Sequence, residues 1–164
     1  LLDHFEEFDF IWSSPPCPSH SRMRKTISMG IGAKPLYPDM KLYEEILLLE
    51  GYFKGDWVVE NVRSWYNPLI KPYELERHYF WSNFVLTNIS VTDGKIQLTN
   101  GSHKIKESDK EQVIKLQKEF KFDLNKYNLP TIKARTMLRN CVNPKTALHI
   151  FKMAFKDKQV TLSS

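Results

Sequence analysis

Phe10-Ile11-Trp12-Ser13-Ser14-Pro15-Pro16-Cys17 is the stretch from which the fold is read. The apolar run ending at Trp12 predicts a short buried strand over residues 8–13. Ser13-Ser14-Pro15-Pro16 stops it, because proline lacks the N–H that a strand ladder needs. A cysteine follows at once, and Arg22, Arg24 and Lys25 lie just beyond it. A strand end that delivers a thiol into basic surroundings suits a nucleophile, since nearby positive charge lowers a thiol pKa. Taken alone, Cys17 fits a buried structural residue better than a nucleophile, because free cysteine is among the most buried residue types.

The residues downstream decide between these. Pro38-Asp39 predicts a helix start, with Leu42, Ile46, Leu49 and Phe53 at helical spacing and Gly51 and Gly55 near its end. Trp57-Val58-Val59 predicts a second buried strand that ends in Glu60-Asn61-Val62. Strand, helix, strand is the grammar of a parallel α/β sheet, whose ligand sites lie at the carboxyl ends of the strands. Cys17 and Glu60 then share one sheet edge. Residues 18–38 show no periodicity, and a long loop directly after a candidate nucleophile predicts a lid. Residues 63–76 read as a Pro-interrupted connector, His78 to Leu86 as one or two strands, and Asn88 to Gly101 as a hairpin with Asp93-Gly94 and Asn100-Gly101 turns. Ser108 and Glu111 have capping-box spacing before a helix with Val113, Leu116 and Phe120 on one face. A loop over 125–130 and a helix over 131–138 follow. Asn143-Pro144 caps a last helix that turns Ala147, Ile150, Phe151 and Ala154 inward. Residues 1–7 read as a helix end, and the tail after Lys156 as frayed.

A length of 164 residues with 41% apolar and 26% charged side chains fits one globular domain or a large piece of one. No apolar run is long enough for a membrane span, and the start of the chain lacks the pattern of a signal peptide. Two cysteines suit a reducing compartment, so a cytoplasmic location is expected. The net charge of +5 permits a polyanionic partner. The five histidines show no metal-ligand spacing, there is no CxxC, and no metal is expected. Phosphate-loop, dinucleotide and nucleophile-elbow motifs are absent.

Cys17 with Glu60 is the pair with chemical meaning. A thiolate adds to a carbon of an electron-poor ring while a carboxyl protonates a ring nitrogen, which needs a carboxyl pKa raised by burial. Glu60 also fits a cap or an ion pair. Arg77, at the start of an aromatic strand, suits a carbonyl oxygen or a surface pair with Glu74 or Glu76. Asn140-Cys141-Val142, before a capped helix, suits a ligand contact or simple capping.

Four motifs in order carry a resemblance across nearly the whole chain. Pro15-Pro16-Cys17 resembles the Pro-Cys nucleophile motif of the cytosine-C5 DNA methyltransferases, most of all the phage and bacterial orphan type. Glu60-Asn61-Val62 is similar to their Glu-Asn-Val motif, Glu76-Arg77-His78-Tyr79-Phe80 to the arginine-and-aromatic motif, and Arg139 to Pro144 to the closing motif before the last helix. The resemblance implies a Rossmann-like S-adenosylmethionine-dependent α/β fold, incomplete at its N-terminus because the Phe-x-Gly-x-Gly cofactor turn is missing. It implies a catalytic half over residues 1–86, a minimal target-recognition region over 87–130, and helices over 131–164 completing the catalytic domain. Cys17 would attack C6 of a flipped cytosine, Glu60 would protonate N3, and Arg77 would hold O2. Pro16, Asn140 and Cys141 would make the remaining contacts to S-adenosylmethionine, with an upstream segment or second chain supplying the rest. Pro15, Asn61, Ser19, Ser21, Arg22, Arg24 and Lys25 would meet duplex DNA in a bacterial or phage-infected cell. Leu75 stands where the family carries a second arginine, and Cys141 where it carries serine. An RNA cytosine methyltransferase and a catalytically silent DNA-binding subunit are the alternatives.

Overall fold

The computed structural model describes residues 2–22, 34, 36–88 and 108–156. The chain divides into two compact units, Leu1–Ile89 with His149–Ser164 and Ser90–Leu148. The first unit is mixed α/β. A 3₁₀ helix, Leu2–Glu7, precedes β1 (Phe10–Ser13), α1 (Lys41–Tyr52), β2 (Asp56–Val62), β3 (Tyr73–Leu75) and β4 (His78–Ser82). The four strands form one sheet in the order β1-β2-β4-β3.

β1 runs parallel to β2, with Phe10 opposite Asp56 and Ser13 opposite Val59, so the strand–helix–strand unit read from the sequence is formed. β4 is antiparallel to β2, and β3 to β4, so the sheet is mixed rather than parallel throughout. β3 lies inside the connector expected over 63–76, where Pro68 and Pro72 mask a strand only three residues long. β1 begins at Phe10, leaving Phe8 exposed. Its residues are half-buried rather than buried, because β1 sits at one end of the strand order.

Alternation along β2 turns Trp57 and Val59 to one face and Val58 and Glu60 to the other. Trp57, Val59, Tyr79 and Trp81 pack with Leu42, Tyr43, Ile46, Leu49 and Phe53, the helical face expected for α1. On the other face Val58 and Phe80 are fully buried, and Trp12 meets Phe80 edge-on at 6.1 Å between ring centroids. Phe10 meets Phe151 and Phe155 there.

The second unit holds α2 (Asp109–Phe120), a 3₁₀ turn (Asn125–Tyr127) and α3 (Thr131–Asn140). The capping box of α2 forms as expected: Ser108 Oγ accepts the Glu111 N–H, and the Glu111 carboxylate accepts the Ser108 N–H at 2.7 Å. Leu116, Phe120 and Leu138 form the core between α2 and α3, with Val113, Leu124 and Cys141 against it. Arg135 pairs with Asp109 across the two helices. Residues 131–148 therefore group with α2, whereas the expectation placed all of 131–164 together. The last helix, α4 (Pro144–Ala154), starts in the second unit and ends in the first. Asn143 caps it, its Oδ1 accepting the Lys145 N–H at 2.9 Å. Ile150 and Ala154 are buried as expected, while Phe151 stays 48% exposed. The turns expected at 93–94 and 100–101, and the tail beyond Lys156, lie outside the described residues. Among the described residues no helix is long and apolar enough to cross a membrane.

Two glycines near the end of α1 separate by their surroundings. A Cβ on Gly55 would stand 2.5 Å from the Asp9 carbonyl oxygen, which is already bonded to the Asp56 N–H at 2.9 Å. A Cβ on Gly51 would meet nothing within 4 Å. Gly55→Ala is expected to cost about 1–3 kcal/mol by overpacking. Gly51→Ala is expected to add about 0.5–1 kcal/mol by helix propensity. Urea unfolding of the two variants checks both signs. Lys121, which ends α2 at φ 57, gives a third case: the Phe122 N–H bonds back to Gln117 O there. Lys121→Gly should stabilise by up to about 1 kcal/mol, since glycine takes that conformation without a Cβ clash.

Candidate active site

The parallel register sets the site. β1 ends at Ser13, opposite Val59, while β2 runs on through Glu60, Asn61 and Val62. On its far side β2 stays paired, Glu60 opposite Phe80 and Val62 opposite His78. On its near side Pro15 and Pro16 have no N–H to extend the ladder. Asn61 takes over: its side-chain amide donates to the Pro15 carbonyl at 3.0 Å, and its Oδ1 accepts the Val62 N–H. Asn61 is 2% exposed, so it works as a tie between the Pro-Pro-Cys loop and β2.

The chain after Cys17 is fixed at once. The N–H groups of His20 and Ser21 both donate to the Cys17 carbonyl, closing a tight turn. The Trp65 backbone N–H donates to His20 O, and its indole N–H to Ser19 O at 3.0 Å. Ser19 is buried and its hydroxyl accepts the Asp39 N–H, so this side chain binds the loop to the start of α1. Ser21 bridges to Ser64, and the exposed Arg22 donates from Nε to Ser64 O. Residues 18–22 are thus held by the 61–66 segment, and the expected lid does not begin at 18. Arg24, Lys25 and most of that loop lie outside the described residues.

Glu60 is 6% exposed, and burial raises its carboxyl pKa, opposed by a hydrogen bond from the Ser14 side chain. This is the environment expected for a carboxyl that acts as an acid. His78 Nε2 stands 3.6 Å from Glu60 Oε1, with both side chains buried. Burial, then the charges of Arg77 and Arg63, push His78 down to about 4. At neutral pH the imidazole is therefore uncharged, and the two groups do not form an ion pair. His78 was not among the sequence-predicted site residues. Strand alternation is the signal that would have found it, since His78 lies two residues from Phe80, the partner of Glu60. Arg77 is exposed in the two-residue loop between β3 and β4, beside Glu76 at φ 51.

Cys17 is half-buried and free. Burial raises its thiol pKa, a hydrogen bond from its own backbone partly offsets this, and the nearby Glu60 charge raises it further. The thiol is thus raised, where a lowered one was expected, and Cys17 rests as a thiol. The Glu60 carboxylate reaches it electrostatically, as expected from a shared sheet edge. Behind the loop, His20 is 1% exposed and its Nδ1 pairs with Tyr66 OH at 2.6 Å. Tyr43 OH donates to Tyr66 OH, and burial holds Tyr66 far above the usual tyrosine range.

Of the residues expected at a cofactor, Pro16 is exposed on the Pro-Pro-Cys loop of the first unit. Asn140 ends α3 in the second unit, and Cys141 follows it with its N–H bonded to Met137 O and its side chain against the α2–α3 core. Comparison of the chain with protein-family models, with curated proteins and with solved structures gives no match.

Two outcomes follow from the electrostatics. In a Cys141→Ser background, Glu60→Gln should speed alkylation of Cys17 by iodoacetamide at pH 7–8, because it removes the negative charge that raises the thiol. Mass spectrometry of the alkylated chain reads the rate, and an unchanged rate would mean that the two groups are not coupled. Stability gives the second. The unfolded His78 titrates at 6.5 and the folded one at about 4, so in that window the unfolded chain binds more protons. Stability should rise with pH through the window, by up to about 3 kcal/mol, and be lost as pH falls through it. The buried His20, also pushed down, acts in the same sense. Glu60, raised in the folded state, acts oppositely: its contribution falls as pH rises through its folded pKa. Thermal melts from pH 4 to 7 should show a flatter rise for His78→Gln and a gain at pH 7 for Glu60→Gln.

Proposed function

We propose that the chain carries the attacking half of an S-adenosylmethionine-dependent cytosine-C5 methyltransferase acting on duplex DNA, with a Rossmann-like arrangement built on β1, α1 and β2. The observation that carries this reading is Cys17 and Glu60 at the carboxyl edge of two adjacent parallel strands, with burial raising the pKa of the carboxyl. The Cys17 thiol proton passes to the Glu60 carboxylate, the sulfur bonds to C6 as the C5–C6 double bond opens, and N3 takes that proton from Glu60, so that the displaced electron density collects toward C5. Arg77 would hold the ring carbonyl. The two site groups support each other. Once Glu60 is protonated, the negative charge that raises the Cys17 thiol is gone, so the acid form of one favours the thiolate form of the other.

A cytosine inside a duplex reaches Cys17 only by leaving the stack, at a cost of a few kcal/mol. Charge supports such a partner. Ser90–Leu148 holds twelve Lys and Arg against six Asp and Glu, and the remainder twelve against thirteen, so the basic excess sits wholly in the second unit. Pro16 has no N–H, and Cys141 is packed into an apolar core with its own N–H bonded. The steps assigned to this chain therefore end at the covalent adduct. A second reading, a catalytically silent DNA-binding subunit, draws on the raised Cys17 thiol.

Duplex DNA carrying 5-azacytosine separates these readings, because attack at C6 places the electron pair on N5, which takes a proton, and no methyl group is needed. A denaturant-resistant protein–DNA adduct is expected. Cys17→Ala should abolish it, Cys141→Ala should leave it, and Glu60→Gln should slow it by about a hundredfold or more. No adduct with any nucleic acid would support the silent subunit, and faster reaction with 5-azacytosine in tRNA would support an RNA substrate.

A further inference from the structure

The geometry points to His20 as the positioning residue of Cys17, its imidazole held in one tautomer by a directed hydrogen-bond chain that runs from the Leu69 N–H through Tyr43 and Tyr66. The bonds belong to the fold, and the role given to them rests on the reading of Cys17 as the nucleophile. The chain starts at a donor with no choice of direction, the Leu69 backbone N–H, which donates to Tyr43 OH at 3.2 Å. Tyr43 OH lies 3.2 Å from Tyr66 OH, and Tyr66 OH lies 2.6 Å from His20 Nδ1. If Tyr43 donates to Tyr66, the Tyr66 proton goes to Nδ1, both hydroxyl protons are used, and the imidazole carries its own proton on Nε2. In the reverse direction Nδ1–H donates to Tyr66 and Tyr66 to Tyr43, which strands the proton of Tyr43, a residue only 4% exposed. A buried donor left unpaired is costly, so the first direction holds.

His20 Nε2 is buried with no partner among the described residues in either direction. A phenylalanine would fill the same place without an orphaned polar atom. What histidine adds here is therefore the Nδ1 acceptor. A second proton on Nδ1 would set two donors against each other, and Tyr66 could yield only by stranding its own proton. The chain thus favours the neutral ring, as burial does, against the pull of Asp39 just before α1. The ring is tied to Cys17 through its own backbone. His20 N–H donates to Cys17 O at 3.0 Å, and His20 O accepts the Trp65 N–H at 3.1 Å. Tyr43 belongs to the buried face of α1, while Tyr66 and Leu69 come from the connector after β2. Residue 20 is fixed by its ring on one side and by both backbone groups on the other, and its N–H holds the carbonyl of the residue that bears the thiol. A nucleophile placed in this way needs no reorientation at attack, and its misplacement costs rate rather than affinity.

Two-bond ¹H–¹⁵N spectra of the full chain labelled in histidine test the tautomer without any ligand, at about pH 8 where imidazoles are neutral. His20→Asn identifies the resonances. The proton is expected on Nε2, with Nδ1 showing the shift of a hydrogen-bond acceptor, and Tyr66→Phe should remove that shift. The positioning role is read in a Cys141→Ser background. Tyr66→Phe should speed alkylation of Cys17 by iodoacetamide severalfold, because a loosened turn exposes the thiol. The same variant should slow adduct formation with 5-azacytosine duplex about tenfold at saturating DNA, with half-saturation unchanged. His20→Asn, which keeps an acceptor on the same branch, should retain more of the adduct rate than His20→Phe. Tyr43→Phe, whose loss frees only the exposed Leu69 N–H to turn to water, gives the same signs in a milder form should Tyr66→Phe not fold. A proton on Nδ1, or alkylation unmoved in both tyrosine variants, overturns the inference. Absence of the adduct in the unaltered chain would overturn the functional reading alone, and the spectra and the alkylation rates would still decide the chain and its hold on Cys17.

Discussion

The parallel pairing of β1 with β2 is the constraint on which the site depends. It sets Ser13 opposite Val59, and the unequal lengths of the two strands do the rest. β2 extends three residues beyond β1, so Glu60, Asn61 and Val62 have a strand on only one side. The vacant side is filled by a loop that cannot pair as a strand, because two successive prolines lack the donor. Asn61 supplies the missing bond from its side chain, and the loop is thereby held against the strand that carries Glu60. A shift of one residue in this register would turn Glu60 to the α1 face, among Trp57, Val59 and Leu49, and separate it from Ser14 and His78.

Burial then acts on Glu60, Cys17 and His78 in the same direction, toward the uncharged form. Glu60 and Cys17 are pushed up and His78 down. The folded chain thus holds three neighbouring groups that resist ionisation, and each costs stability where it is forced to ionise. The reactivity of the site depends on exchange of one proton between neighbours, since the charge of Glu60 helps to keep Cys17 protonated.

Rigidity is distributed to match. The segment 61–66 holds residues 15–22 through the backbone and side chains of Asn61, Ser64 and Trp65, and the buried His20–Tyr66–Tyr43 bonds brace the loop from behind. These ties involve groups spread over some fifty positions of sequence, so the Pro-Pro-Cys loop acquires its shape only when β2 and α1 are in place. The second unit folds around a separate small core of Leu116, Phe120 and Leu138 and carries the positive excess of the chain.

Much of this was legible in the residues themselves. Apolar spacing identified α1 and its buried face and the two parallel strands, and cap residues identified the capping box at Ser108 and the Asn143-Pro144 cap, because each depends on local periodicity or on hydrogen bonds three residues apart or fewer. The neighbourhood of Cys17 and Glu60 was legible too, since strand–helix–strand topology dictates which ends meet. Tertiary structure alone decided the remainder. It placed His78 against the carboxyl, made Ser19 a buried tie, revealed β3 behind its prolines, and grouped α3 with α2. It also set the protonation of the thiol. Sequence showed three cations near Cys17, but burial and the Glu60 carboxylate of the adjacent strand raise the thiol, and such long-range effects have no local signature.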